Sequence, residues 1–222
     1  MNSTRADYIP ALRYRWLTTL YDPVLRLSMP EATFKRHLVT QARITSGHRV
    51  LDLGCGTATL TLLIKTAHPE AQVVGLDVDP EVLKLARSKA ARAGLDIHLD
   101  QAMAFELPYP EASFDRVLSS LVLHHLTREN KLRTLREVFR VLRPGGELHV
   151  ADFGKPHTFP TWAISLITRW LEHQLDNVKG LLPDMFESAG FHQVEVTARY
   201  ATVYGSLCLY RALKPQPRAR RG

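Results

Sequence analysis

Short apolar runs alternate with amphipathic stretches along most of the chain, and this alternation predicts strands separated by helices. The first run, Val50 to Leu53, is followed by two closely spaced glycines and then by an apolar-periodic stretch that ends near Ile64. A continuous run of this length is typical of a parallel strand buried on both faces, and the periodic stretch is typical of a helix. Further apolar runs predict six more strands, at residues 72–77, 97–99, 114–120, 147–151, 194–200 and 206–211.

The stretches between these runs carry helix start and stop signals. Asp79 is expected to be an N-cap with Pro80 at the first helical position, and Gly94 ends the helix that follows. A second amphipathic helix is predicted at residues 129–142, ended by the turn-forming residues 143–146. Strands and helices in alternation predict a single α/β domain with a mostly parallel sheet, which suits a chain of 222 residues.

The two glycines after the first strand, Gly54 and Gly56, indicate a cofactor-binding turn. Glycine lets a ligand lie against bare backbone, and the N–H groups of the following helix point toward it. A dinucleotide site usually has a third glycine where this chain has Thr59, and Asp52 beside the turn would repel a diphosphate. The turn therefore favours a ligand other than a dinucleotide.

A positively charged ligand fits this turn better. Opposite charges a few Å apart in a partly dry cleft attract by about 4 kcal/mol at an effective dielectric constant near 20. S-adenosylmethionine has two such groups, an ammonium and a sulfonium. Asp77 ends the second apolar run about 20 residues beyond the turn, where a carboxylate that binds ribose hydroxyls is expected.

Charge and cysteine content indicate which partners and which cellular location to expect. The formal net charge is +7, and Lys214, Arg218, Arg220 and Arg221 place four positive charges in a proline-containing segment that is predicted to be a disordered tail, residues 214–222. Basic residues near the N-terminus would suit an anionic substrate or membrane headgroups, the alternative being a solvated surface. Two cysteines indicate neither a disulfide framework nor a metal cluster, and a cytoplasmic location is expected.

Four sequence blocks resemble the class I S-adenosylmethionine-dependent methyltransferases, nearest to the ubiquinone and menaquinone C-methyltransferases. The blocks are VLDLGCGTATL (50–60), VVGLDVDPEVL (73–83), ELPYPEASFDRVLSSLVLHHL (106–126) and REVFRVLRPGGELHVADF (136–153). The resemblance implies a Rossmann-like seven-stranded sheet in the order 3-2-1-4-5-7-6, with strand 7 antiparallel and helices on both faces. It also implies a helical cap at residues 1–45, a methyltransferase domain at 46–213 and a substrate-region insertion at 153–183.

The resemblance places S-adenosylmethionine beyond the carboxyl ends of the strands, and no metal is expected. The expected cofactor-binding residues are Asp52, Gly54, Cys55, Gly56, Thr57, Asp77, Val78, Ala102, Met103, Ser119 and Leu121. Relatives often have Asp or Asn at the position of Met103. A thioether cannot hydrogen-bond the adenine amine in the same way, so recognition of the base would fall to backbone groups.

The expected reaction is methyl transfer to carbon or oxygen of a small-molecule acceptor, quinone-like or lipidic. His124, His125 and Tyr21 are candidate catalytic residues, since imidazole titrates near neutral pH and the Tyr21-Asp22 pair resembles one in quinone methyltransferases. A purely structural role is the alternative, and it is the more common one for a histidine flanked by residues such as Leu123 and Leu126. The alternatives are a regulatory protein that binds the cofactor without turnover and an N-methyltransferase of an amine or lipid headgroup.

Residues 119–122 bear on nucleic-acid partners. They read Ser-Ser-Leu-Val, unlike the Asn/Asp-Pro-Pro-aromatic signature of nucleic-acid amino-methyltransferases, which argues against a nucleic-acid substrate. Peripheral contact with a membrane stays open, as does the oligomeric state.

Overall fold

A computed structural model describes residues 31–155, 177, 179–202 and 205–216. Within these residues, helices and strands alternate as predicted. In chain order they are α1 (Glu31–Gln41), β1 (Arg49–Leu53), α2 (Thr59–Ala67), β2 (Gln72–Asp77), α3 (Pro80–Ala93), β3 (His98–Gln101), β4 (Phe114–Ser120), a 3₁₀ turn (Leu123–His125), α4 (Arg128–Val141), β5 (Leu142–Phe153), α5 (Leu182–Ser188), β6 (His192–Thr202) and β7 (Gly205–Leu213). The predicted caps of α3 are confirmed, with Asp79 accepting a hydrogen bond from the Glu81 N–H and Gly94 ending the helix.

The seven strands form one sheet in the order β3-β2-β1-β4-β5-β7-β6, as predicted. Strand β1 pairs in parallel with β2 on one side and β4 on the other, while β7 is antiparallel to both β5 and β6. The chain order of the strands reverses between β1 and β4. In open parallel sheets this reversal leaves a crevice beyond the carboxyl ends of the strands, where ligands bind.

Helices cover both faces of the sheet, which confirms the predicted fold class. One apolar core joins Val138 of α4 and Phe186 of α5 to the sheet, and a second joins Phe34 of α1 and Ile64 of α2 to Val50. Each helix buries one apolar stripe against the pleated surface, as amphipathic helices do. None of the helices in the described ranges is long and apolar enough to cross a lipid bilayer.

Strand β5 begins five residues earlier than predicted. Its first residue, Leu142, pairs with Phe114, and the register then shifts so that Glu147 pairs with Arg116. Residues 143–146, predicted to form a turn, lie within the strand and form an irregularity in it. Gly145 has a φ of +78° there, a conformation that favours glycine. Helix α4 therefore ends at Val141, ahead of the glycines that were predicted to end it, and the chain passes directly into the strand.

The disordered tail predicted to start at Lys214 does not include that residue, and the prediction is wrong there. The backbone N–H of Lys214 donates to Gly146 O at 2.9 Å, and its carbonyl accepts from Gly145 N–H at 2.8 Å. Its Nζ donates to Leu142 O at 2.8 Å and lies 4.7 Å from the ring centroid of Phe139. The long side chain is buried because its stem packs while its ammonium satisfies a buried carbonyl.

We expect Lys214→Ala to lower the free energy of unfolding by about 1–3 kcal/mol, because a buried carbonyl would lose a charged donor. Urea denaturation compared with Arg221→Ala, a loss of the same charge within the predicted tail, checks this. Equal midpoints for the two variants would contradict the anchoring role of Lys214.

Candidate active site

The glycine turn between β1 and α2 has an alternating left-handed backbone. Gly54, Gly56 and Ala58 have φ values of +70°, +53° and +62°. The N–H groups of Gly54 and Cys55 both donate to Leu76 O, at 2.8 and 2.9 Å, which ties the turn to the end of β2. A Cβ at Gly56 would meet nothing within 4 Å. The space in front of Gly56 is therefore open to a ligand.

Asp77 lies at the end of β2 and faces this turn. Its Oδ2 accepts from Gly56 N–H at 2.8 Å and its Oδ1 from Asp79 N–H at 3.0 Å. Burial raises the pKa of this half-buried carboxyl above its usual value, against the opposing effect of the two backbone donors. The N–H of Gly56 is thus directed to a carboxylate, which argues against a diphosphate there, and the remaining lone pairs of Asp77 can accept from ribose hydroxyls.

Asp52, predicted to lie beside the glycine turn, is buried behind it. Its side chain is 1% exposed and its Oδ2 accepts from Thr61 Oγ1 at 2.6 Å, because the alternation of β1 turns it toward α2. Burial raises the pKa of Asp52 to about 6, although the hydrogen bond from Thr61 opposes this. The acidic side of the crevice therefore consists of one half-buried carboxylate, Asp77, and one fully buried carboxylate behind the turn.

The loop after β3 lies beside Asp77. The N–H of Ala102 donates to Asp77 O at 3.2 Å, and the Gln101 side-chain amide donates to Val78 O at 3.1 Å. Ala102 and Met103 are both partly exposed. These contacts bring the predicted ribose and adenine residues together at one edge of the sheet.

Two further predicted residues of the glycine turn are held by local contacts. Thr57 Oγ1 accepts from Lys89 Nζ of α3 at 2.6 Å. The Cys55 thiol is buried, and its Sγ lies 3.8 Å from Gly56 O. Desolvation raises the pKa of Cys55 far above its usual range, so the thiol is a packing group and not a nucleophile.

The end of β4 supplies the opposite wall. Ser119 is 1% exposed and its Oγ donates to Leu53 O at 3.1 Å, so its hydroxyl is already used between strands. The Oγ of Ser120 is buried and has no hydrogen-bond partner within the described part of the chain. Leu121 follows with a φ of +60°, a strained conformation for a leucine, and donates its N–H to Ala151 O. The hydroxyl of Ser119, a predicted cofactor residue, is therefore engaged between strands, whereas the buried hydroxyl of Ser120 has no partner among the described residues.

A buried histidine–carboxylate pair lies where β4 and β5 end. The Nδ1 of His124 is 2.9 Å from Asp152 Oδ1, and Asp152 is fully buried. The same carboxylate accepts from the N–H groups of Leu123 and Phe153 at 2.8 Å and from Asn177 Nδ2 at 3.1 Å. Burial alone would raise the pKa of Asp152, but the contacts with His124 and with these donors outweigh it and hold the pKa below its usual range. An ionised Asp152 accepts from Nδ1 of His124, and in a neutral imidazole with its proton on Nδ1 the lone pair is on Nε2.

The surroundings of His124 fix the ring further. Phe153 meets it edge-on with ring centroids 5.0 Å apart, and the exposed His125 stacks on it at 3.9 Å. No described residue forms a hydrogen bond to Nε2 of His124, and 9% of the side chain is exposed. The third catalytic candidate, Tyr21, lies outside the described residues.

Sequence reasoning missed the two groups that hold His124. Asp152 was recognisable as an acid at the end of an apolar strand, although nothing in the sequence pairs it with a histidine 28 residues away. Asn177 carries no sequence signal, because it lies within the predicted insertion and its contact with Asp152 depends on the three-dimensional path of that segment.

The comparisons with known proteins agree with this geometry. Residues 50–146 match the methyltransferase domain family. A demethylmenaquinone methyltransferase of Thermus thermophilus is 36% identical over 154 residues, which cover 69% of this chain and 68% of that protein. A ubiquinone/menaquinone biosynthesis C-methyltransferase of Marinomonas sp. is 35% identical over 128 residues, or 56% of this chain and 50% of that protein.

A solved structure is similar in fold over most of this chain. The structure of phosphoethanolamine N-methyltransferase 2 of Haemonchus contortus, with phosphomonomethylethanolamine and S-adenosylhomocysteine bound, superposes with a TM-score of 0.69. It covers 83% of this chain and 53% of that protein at 16% identity, so this likeness concerns the fold alone. On the sequence identity and coverage, the chain belongs to the class I S-adenosylmethionine-dependent methyltransferases, in the group of the ubiquinone and menaquinone C-methyltransferases.

Proposed function

We propose that this protein transfers a methyl group from S-adenosylmethionine to a carbon or oxygen atom of a small quinone-like or lipidic acceptor that carries an acidic hydroxyl. The observation that carries the proposal is the buried contact of His124 with Asp152 at the ends of β4 and β5. The names of the relatives support an acceptor of the reduced-quinone type. S-adenosylmethionine, when bound, supplies an electrophilic methyl group whose carbon–sulfur bond breaks with its electron pair going to sulfur.

The residues around the crevice fit this cofactor. Asp77 would accept from the ribose hydroxyls, and the open space before Gly56 would admit the ligand against the backbone. The backbone beside Met103 would meet the adenine, since the Met103 side chain offers no strong hydrogen bond. The hydroxyl of Ser120, which is buried without a partner in the described chain, would bind a polar ligand atom. Negative charge on Asp52 and Asp77 would attract the cationic end of the cofactor.

His124 would act as the general base. Its Nε2 lone pair takes the proton of the acceptor hydroxyl, and the electron pair left on the acceptor forms the new bond to the methyl carbon, at oxygen or, through the ring, at carbon. Methylation at carbon then releases the ring proton to restore aromaticity. Asp152 stabilises the imidazolium so formed and holds the ring in one orientation. Holding the reacting atoms about 3–3.5 Å apart and in line contributes much of the remaining rate.

Two predicted segments would complete this site, and large parts of both, residues 1–30 and 156–176, lie outside the described residues. We propose that the cap predicted at residues 1–45 covers the cofactor through residues 1–30, because residues 31–41 form α1 and pack on the sheet. We propose further that the insertion at residues 153–183 lines the acceptor pocket. The two cysteines, Cys55 and Cys208, are buried and unpaired, which supports a cytoplasmic location.

Calorimetry with S-adenosylmethionine tests the cofactor assignment. We expect the wild type to bind and Asp77→Asn to raise the Kd about thirtyfold or more, because hydrogen bonds to a charged acceptor are lost. Asp96→Asn removes the same charge from an exposed loop and should bind like the wild type. Tighter binding of NAD than of S-adenosylmethionine, or equal binding by the Asp77 and Asp96 variants, would contradict the assignment.

Kinetics with 1,4-naphthohydroquinone as acceptor test the general base. We expect His124→Gln and Asp152→Asn each to lower kcat about a hundredfold near neutral pH, with the loss shrinking at high pH where the acceptor ionises unaided. The Kd of S-adenosylmethionine should be unchanged, which separates loss of the base from loss of the fold. His98→Gln is the matched control, since His98 is 69% exposed and pairs with Asp100 at 2.9 Å on the surface.

The outcomes distinguish the alternatives. Transfer to ethanolamine-type amines, with none to the hydroquinone, would show an N-methyltransferase and overturn the assigned base. Cofactor binding without transfer to either acceptor class would favour the regulatory alternative. A pH profile altered in His125→Gln but not in His124→Gln would move the base to His125.

A further inference from the structure

The two helix layers of the described fold carry very different charge. Helices α1, α2 and α3, which cover one face of the sheet, contain seven Lys and Arg residues and two Glu. Helices α4 and α5, on the other face, contain five Lys and Arg residues and four Asp and Glu. The positive excess of the described helices is therefore concentrated on the first face.

The same face carries the one large hydrophobic side chain that is exposed within the described residues, Leu85 of α3, which is 48% exposed. The same helix carries three exposed basic residues, of which Arg92 lies two turns from Leu85 on the same side and Lys84 and Arg87 lie to the side. Glu81 is the acid of this helix, and it pairs with Lys84 at 2.7 Å in full contact with solvent, where an ion pair is weak. Leu85 thus projects from a predominantly basic surface.

An open cleft of about 650 Å³ continues this surface toward α1 and α2. Leu62 and Leu63 of α2 contribute apolar surface to its lining. Arg36 and Lys89 contribute positive charge, while Lys35 pairs with Glu31 at 2.6 Å within the lining. Lys89 also donates to Thr57 of the glycine turn, so the face borders the cofactor crevice. We call the surface formed by α1, α2 and α3 the basic face.

We propose that the basic face docks on an anionic lipid bilayer, with Leu85 entering the headgroup region. Lysine and arginine side chains near an anionic leaflet gain electrostatic attraction, and aliphatic side chains among them gain from burial at the interface. A single-stranded nucleic acid fits less well, because its bases stack on aromatic side chains. Phe34 is the only Phe, Tyr or Trp in these three helices, and it is fully buried.

Docking in this manner would set the crevice close to the membrane. A lipid-soluble acceptor could then reach His124 without leaving the bilayer, a consequence that rests on the proposed function. The docking itself depends only on the charge and exposure of the basic face, and it is measured without catalysis.

Sedimentation with phosphatidylcholine vesicles, with and without phosphatidylglycerol, tests the proposal on the full chain. We expect binding only to the anionic vesicles and loss of binding at high salt. Each basic residue near an anionic leaflet strengthens binding about fivefold, so Lys84→Gln/Arg87→Gln/Arg92→Gln should weaken it by about tenfold to a hundredfold. The control Arg128→Gln/Arg133→Gln/Arg136→Gln removes three exposed charges from α4 and should weaken it by less than threefold or so.

A fluorescent reporter locates the contact. Leu85→Cys, labelled with an environment-sensitive dye, should show a blue shift on anionic vesicles, and the two native cysteines are buried away from the label. Equal weakening by the α3 and α4 triple variants, or no blue shift at position 85, would overturn the proposal. So would loss of binding on removing residues 217–222 alone, or tighter binding to single-stranded RNA than to the vesicles.

Discussion

Replacing Gly54 with alanine should lower the free energy of unfolding by about 2–4 kcal/mol, whereas the same change at Gly56 should cost about 1 kcal/mol. Both glycines have positive φ, so alanine is strained at either position. The difference lies in the space around them. A Cβ at Gly54 would overlap the methyl groups of Val122, while a Cβ at Gly56 meets nothing within 4 Å.

Urea denaturation of the two variants measures this difference, and a third variant tests its cause. Val122→Ala removes the two methyl groups that the new Cβ would meet, so Gly54→Ala combined with Val122→Ala should recover most of the overlap cost. The strain of the backbone would remain. Gly56→Ala should stay folded but bind S-adenosylmethionine weakly, because its methyl group enters the open space. Equal unfolding free energies for the two glycine variants would show that the packing against Val122 is unimportant.

Asp52→Asn should make the protein more stable, by about 3 kcal/mol at pH 8. Burial raises the pKa of Asp52 to about 6, above the value near 3.8 of an exposed aspartate. Protonated Asp52 therefore favours the folded state, an advantage fully present below about pH 4 and lost as the pH rises through about 6. At higher pH the folded protein bears a buried negative charge. Asparagine removes that charge and can still accept the hydrogen bond from Thr61.

The same substitution should weaken cofactor binding. A variant that is more stable but binds the cofactor less tightly would show that the buried charge serves binding. We expect Asp52→Asn to raise the Kd of S-adenosylmethionine about tenfold at neutral pH, because it removes an attraction for the cationic end of the ligand. In the wild type the Kd should rise as the pH falls below about 6, and the variant should lack this dependence. Unfolding curves and calorimetry at several pH values, with Asp96→Asn as the control, measure both effects. A variant that is less stable than the wild type at high pH would contradict the buried charge.

Local signals were sufficient for most of the fold. The apolar runs and the capping residues of α3 predicted strands and helices to within a few residues, since burial on a strand and on a helix repeats with different periods. The exceptions arose where a residue finds its partner far along the chain. Lys214 was expected in a disordered tail because it is charged and precedes prolines. It is buried because Leu142 O lies within reach of its Nζ.

The candidate site also has one part that local sequence features predict and one part that depends on contacts between distant residues. Its cofactor half, from Gly54 to Asp77, is visible in the sequence because glycine spacing and a strand-ending acid are consecutive, local features. The sequence by itself therefore determined the strands, the helices and the glycine turn between β1 and α2, while the order of the strands followed from the family resemblance. Only the tertiary structure decided that Asp52 is buried under α2 and that the Ser120 hydroxyl has no partner among the described residues. It also decided that Asp152, itself held by Asn177, contacts His124. The physical reason is that burial and hydrogen-bond partners depend on which side chains lie close together in space. The spacing of residues in the sequence does not record how far apart distant residues lie in the fold.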